Sequence, residues 1–119
     1  MKKLISFAVE THLPGMGGWG NGYVAIPKGH PCFKMDYDAI HAKYKSLEVH
    51  GGLTFSSATH GKQPTETKDM WIVGFDTLHY GDDMQRWPTK KSVLIEADKL
   101  NAQLTKIGRE QHQKKRKKK

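Results

Sequence analysis

The sequence predicts an α+β fold, a small, mostly antiparallel sheet with two helices packed on it. Four short apolar runs, each bounded by glycine, proline or polar residues, read as strands. Two other segments repeat apolar residues at spacings of three and four, the pattern of a helix with one buried face. The chain has 119 residues, which suits one domain with one core and one shallow site.

The elements follow in order. Leu4 to Val9 is a first strand, rich in β-compatible residues. The segment from Leu13 to Gly22 then places five glycines among ten residues, which argues against helix or ordinary strand and for a loop, either mobile or folded around something. Tyr23 to Ile26 is a second strand stopped by Pro27, so the pair forms a long-looped hairpin. Asp36 is a candidate N-cap for a helix of about ten residues whose apolar face is Tyr37, Ile40, Tyr44 and Leu47. Paired glycines, Gly51 and Gly52, end that region. Leu53 to Ser56 is a short strand, and Thr59 to Lys68 a polar loop. Met70 to Asp76 is the most apolar run and reads as a central strand, in which Gly74 signals a bulge or a close backbone approach. After a polar loop containing Pro88, Ser92 is expected to cap a last helix with Val93, Ala97, Leu100, Leu104 and Ile107 on its apolar stripe.

Charge is unevenly placed. The net charge is +8, but the last six residues, Lys114 to Lys119, are all Lys or Arg. Without them 14 basic residues face 12 acidic ones, so the folded part, residues 1–112, is nearly neutral. Residues 113–119 read as a disordered basic tail that repels itself and cannot bury. Such a tail attracts nucleic acid without sequence readout, or serves only to solubilise. Cys32 is the single cysteine, so no internal disulfide forms, and with no base beside it in sequence a packing role is expected. The opening apolar run is broken by Glu10 and His12 before it reaches signal-peptide length, and no stretch is long enough for a membrane span. A cytoplasmic protein is the expectation; oligomeric state is left open.

Two polar clusters fall where elements end. One is the turn from Val49 to Thr54, with His50, Gly51, Gly52 and Thr54; the other runs from Gly74 to Asp83, with Asp76, His79 and Asp82. Turns of this kind carry function because a rigid element positions them. The three-residue steps of Asp76, His79 and Asp82 can bring three ligand side chains to one side of a tight turn, enough to hold a divalent metal, with His50 as a further ligand or proton carrier. The competing reading is structural: Asp76 as a turn former, His79 as a half-buried ring, Asp82 and Asp83 as solvated loop charge. No metal motif of strict spacing is present. Gly51 and Gly52, or the loop from Gly15 to Gly22, can instead present backbone amides to a phosphate, with Lys28 or His30 supplying charge. Trp19 in that loop either plugs the core or stacks on a flat ligand.

Three strings stand in order along the chain: Gly22-Tyr23-Val24-Ala25-Ile26-Pro27 with His30-Pro31, then Val49-His50-Gly51-Gly52-Leu53-Thr54-Phe55, then Trp71-Ile72-Val73-Gly74-Phe75-Asp76 with His79 and Gly81-Asp82. Together they resemble a family of small bacteriophage and prophage proteins, over roughly residues 20 to 105. The resemblance implies a phage setting and the host-cell cytoplasm, and picks out His50, Asp76, His79 and Asp82. It implies no reaction.

Three functions remain from these residues. The leading one is an accessory protein binding a small anionic, nucleotide-like ligand at His50, Gly51, Gly52, Thr54, Trp19 and His30. The second is a metal-dependent phosphate-ester hydrolase with Asp76, His79 and Asp82 as ligands. The third is a nucleic-acid accessory protein acting through Lys114 to Lys119. Whether the chain is an enzyme is left open. Removal of residues 114–119 is expected to leave the thermal midpoint nearly unchanged; a large drop would show that the tail docks on the domain.

Overall fold

The structure is a computed structural model that describes residues 2–11, 16–79 and 81–117, with 112–117 described by backbone alone. It is an α+β fold of four strands and two helices. The strands are β1 (Ile5–Glu10), β2 (Gly20–Ile26), β3 (Phe55–Ser57) and β4 (Trp71–Phe75), and the helices are α1 (Tyr37–Lys43) and α2 (Lys90–Lys117). The strands form one antiparallel sheet in the order β1-β2-β4-β3. The long-looped hairpin and the central position of β4 are thus present.

Period-two alternation assigns each strand residue to a face. Val24, Ile26, Val73 and Phe75 meet Ile40 of α1 and Val93, Ala97, Leu100 and Leu104 of α2 in the main core, which also holds Cys32, Leu47, Leu53 and Trp87. Phe7, Val9, Tyr23, Ala25 and Ile72 point the other way and form a second buried cluster with Met70. There Phe7 stacks on Tyr23 at 5.1 Å, and the His60 ring closes over Tyr23 at 4.6 Å. Both faces of this small sheet are therefore dry, which explains why β4 reads as an unbroken apolar run rather than an alternating one.

Two glycines permit that packing. Gly74 of β4 sits opposite Tyr23 of β2, and a Cβ there would collide with the tyrosine ring, so the close approach suggested by the sequence is the reason for this residue. Gly22 faces the ring of Phe75 in the same way. This corrects the expectation that the glycine-rich segment through Gly22 cannot be strand: Gly20, Asn21 and Gly22 begin β2, and at Gly20 and Gly22 a side chain would collide with the β1 backbone and the Phe75 ring. Residues 13–15 of that segment lie outside the described residues.

The helices differ from expectation at their ends. α1 stops at Lys43, so Leu47 packs from the turn that follows and not from the helix, and Asp36 precedes α1 without a side-chain capping bond. Thr89, not Ser92, stands at the start of α2. Thr89 Oγ1 accepts the Ser92 amide and Ser92 Oγ accepts the Thr89 amide, both at 3.2 Å, a reciprocal box in which serine replaces the usual Glu or Gln. The backbone of α2 runs to Lys117 and so includes most of the segment from Gln113 onward that was expected to be a tail; residues 118–119 lie outside the described residues. No helix among the described residues is long and apolar enough to cross a membrane.

His30 is part of this frame. Its Nε2–H donates to the Leu104 carbonyl at 2.6 Å and its Nδ1 accepts the Cys32 amide at 3.0 Å, so one proton is fixed on Nε2 and the ring is neutral. Burial lowers its pKa below the ordinary value, partly opposed by the Leu104 bond. Burial likewise pushes the Cys32 thiol up to about 11, as befits the packing role expected for it. His30→Ala is expected to cost about 2–3 kcal/mol, because both a buried amide and a buried carbonyl lose their partner. With the native pKa lowered, the unfolded chain takes up the proton first. Stability from neutral His30 is thus full above about pH 6.5 and declines as pH falls through that value toward the native pKa. Denaturant unfolding at pH 7 and pH 5 checks this: His30→Gln should show a shallower loss than the unchanged protein.

Candidate functional site

The site grows from the outgoing end of β4. Beyond Phe75 the chain leaves the sheet at Asp76, whose Oδ1 accepts the Leu78 amide at 3.0 Å in the turn arrangement short acidic side chains favour. Its Oδ2 accepts the Thr54 hydroxyl at 3.1 Å, tying this turn to the segment entering β3. Thr77 is buried; its hydroxyl donates to the Gly20 carbonyl and its own carbonyl accepts the Gly18 amide, each at 2.8 Å. The glycine-rich loop is therefore fastened to this side of the molecule.

Asp82 is the centre of the next turn. Its side chain is 1% exposed and receives three donors, one from the turn at His50 and two from its own loop. His50 Nε2–H reaches both oxygens, at 2.8 and 3.0 Å; the His79 amide reaches Oδ2 at 2.9 Å; the Trp87 indole N–H reaches Oδ1 at 3.1 Å. Burial works against ionisation of this carboxyl, yet the three donors and the His50 charge outweigh it and hold its pKa below the usual carboxylate value. The reading of Asp82 as solvated loop charge is corrected: only its neighbour Asp83 is exposed, where it accepts the Gln85 and Arg86 amides at 3.0 Å.

His50 comes from the turn after α1. α2 holds that turn: Gln103 bonds both the Glu48 amide and its carbonyl, and Glu96 accepts the His50 amide at 2.8 Å. Gly51 and Gly52 follow with positive φ, +67° and +80°, which glycine alone adopts without strain. Gly51 has a second reason. A side chain there would occupy the space of the His79 ring, so its absence seats His79 beside His50, with ring centres 5.4 Å apart. At Gly52 a Cβ would meet only His41 Nε2, at 3.6 Å.

His50, His79 and Asp82 each offer a ligand atom, all within 4.8 Å of one another, and this group could hold a metal ion. His79 Nδ1 lies 3.3 Å from both Asp76 Oδ1 and Asp82 Oδ2; the atom is buried and has no hydrogen-bond partner. Of the ligands expected from sequence, His79 and Asp82 belong to this set. Asp76, though beside His79, is bonded to its own turn and to Thr54, and His50 completes the set.

Other residues singled out by sequence lie elsewhere or act otherwise. His30 is bonded to Leu104, eight residues along α2 from the Glu96 that holds His50, or about 12 Å of helix rise. With both ring nitrogens engaged inside the protein it is not a ligand contact of this site. Trp19 packs against the main core and its amide donates to the Trp87 carbonyl at 2.8 Å, which makes it a plug. Two participants went unnamed in the sequence reading. Trp87, an aromatic in an otherwise polar loop, was the visible signal; Glu96, beside Ala97 on the apolar stripe of α2, was detectable only from that position.

Comparison of the chain with protein-family models, with curated proteins and with solved structures gives no match.

Asp82→Ala is expected to cost about 3 kcal/mol, since it strands several buried donors, whereas Asp76→Asn, at a partly exposed turn, should cost under about 1 kcal/mol. Because the Asp82 pKa is lowered in the fold, its contribution is full above the unfolded carboxyl value near 3.9 and is lost as pH falls through the lower native value. Acid titration of the unchanged protein and of Asp82→Asn, followed by near-ultraviolet circular dichroism, checks this; equal acid midpoints would contradict it.

Proposed function

We propose that the chain binds a divalent first-row metal ion through His50, His79 and Asp82 and uses it to hydrolyse a phosphate ester. The observation that carries the reading is the meeting of three ligand atoms within 4.8 Å, His50 from one turn and His79 and Asp82 from another, with His79 Nδ1 buried and without a hydrogen-bond partner. Two imidazoles and a carboxylate suit zinc or a neighbouring ion, and three protein ligands leave a position open for water. A bound ion would bring that water to a hydroxide-like state near neutral pH. His50 would have to offer a nitrogen free of its proton, so acid, which protonates imidazoles, would weaken binding.

The charge around the turn supports a cation before an anion. The charged groups bonded to it are carboxylates: Asp76 through Thr54, Asp82 through His50, Glu96 through the His50 amide. A bare phosphate at Gly51 and Gly52 would meet repulsion, while a metal would neutralise the cluster and receive the phosphate itself. The anion expected at this turn thus enters as the substrate of the ion.

Native mass spectrometry with added Zn²⁺, Mn²⁺ and Mg²⁺ tests the reading. One ion per chain is expected. At a hundredfold excess over Kd it should stabilise the protein by about 2.7 kcal/mol. His79→Ala and His50→Ala should lose the ion and any hydrolysis of a chromogenic phosphodiester, and Asp76→Asn should keep both. An ion retained equally by His79→Ala, or none bound by the unchanged protein, overturns the proposal.

A further inference from the structure

A second feature lies at the opposite end of β4. Trp71 starts that strand and Phe75 ends it, about 13 Å away at strand rise, so what gathers at Trp71 is separate from the His50 cluster. There the surface opens into a groove of about 580 Å³, within the usual size of small-ligand sites. Its apolar lining includes Phe33, Met70 and Trp71. The Trp71 ring is anchored by its N–H, which donates to the Met35 carbonyl at 2.8 Å. Three exposed lysines, Lys28, Lys34 and Lys68, belong to the same lining, against one carboxylate, Asp69. Lys34 Nζ stands 6.0 Å from the centre of the Phe33 ring. An adjoining recess adds Lys2 to Lys28 and Lys68.

The backbone marks the same place. Among the described residues, two that are not glycine have positive φ, Lys34 at +68° and Asp69 at +66°. Both line this groove. Asp tolerates that conformation; Lys has no local bond to reward it. Non-glycine residues held so are concentrated at ligand sites, where the strain keeps a side chain in position.

We infer that this groove binds a mononucleotide-type ligand, with a flat base against Phe33 and Trp71 and a phosphate held by Lys34, Lys68 and Lys28. An aromatic floor favours a planar ring, since base stacking on such side chains is sequence-tolerant and substantial. Clustered ammonium groups favour a compact, multiply charged anion. Volume and charge together fit one nucleotide better than an apolar molecule of equal size.

Calorimetric titration of adenosine 5′-monophosphate into the full chain at low salt tests this, with adenosine and inorganic phosphate as the two halves of the probe. The nucleotide should bind more tightly than either half, and added salt should weaken it. The double reversal Lys34→Glu with Lys68→Glu, both exposed, should weaken it about tenfold or more. Asp69→Asn keeps a residue that tolerates positive φ and removes the opposing charge, so affinity should rise. Lys34→Gly relieves the backbone and removes a cation; the thermal midpoint should rise while affinity falls. His79→Ala should leave nucleotide affinity unchanged, which separates this site from the metal cluster. Three results overturn the inference: phosphate binding as tightly as the nucleotide, loss of binding in His79→Ala with retention in the double lysine variant, or binding of a single-stranded oligonucleotide with none of the mononucleotide.

Discussion

A carboxylate with 1% of its side chain exposed stays ionised only if donors replace the water it has lost. Asp82 meets that condition with donors from the turn at His50, from its own loop at His79 and from Trp87. None of these belongs to a regular element. Among its described residues the loop from Asp76 to Pro88 has no strand or long helix of its own, and this anion ties its two halves to each other and to the turn at His50. The same requirement explains why two histidines converge. One bonds the carboxylate through its ring; the other has its amide bonded to the carboxylate and its ring seated in the space Gly51 leaves.

The α+β architecture was legible because it rests on local signals. The strand runs were short and apolar, and the α2 stripe repeated at four, three, four, three from Val93 to Ile107. The boundaries missed were those set by contacts across the sheet. Gly20 to Gly22 counts as loop by composition and becomes strand because Phe75 and the β1 backbone need the space. Thr89 caps α2 through a serine box, a weaker sequence signature than Ser92 followed by its apolar run.

The site was legible as two segments and less so as a geometry. His50, His79 and Asp82 stood in the right turns, but whether Asp76 or His50 would complete them depended on side-chain direction. Asp76 has competing partners one hydrogen bond away in Leu78 and Thr54, and a sequence does not rank those against a more distant imidazole. His30 misled for the opposite reason. A histidine between prolines and glycine in a turn resembles a ligand, yet its partner Leu104 is 74 residues away and its role is to close the core. Of the groove at Trp71 only Lys28 was visible in the sequence, as a charge for a phosphate, because its lining joins the turn from Lys28 to Lys34 with a stretch more than twenty residues later.

Sequence distance also governs when the sheet can be completed. β2 pairs with β1 across a single nine-residue loop, but its other edge must await β4, some fifty residues later, and the amide of Asn101 in α2 reaches back to the Leu4 carbonyl and the Ser6 hydroxyl. During synthesis the first hairpin therefore emerges with an open hydrogen-bonding edge and both of its apolar faces uncovered. Such an edge can recruit a strand from another nascent chain before its own arrives. For this protein the hazard of misassembly is concentrated in the interval between translation of Ile26 and translation of α2, and slowing elongation there would lengthen it.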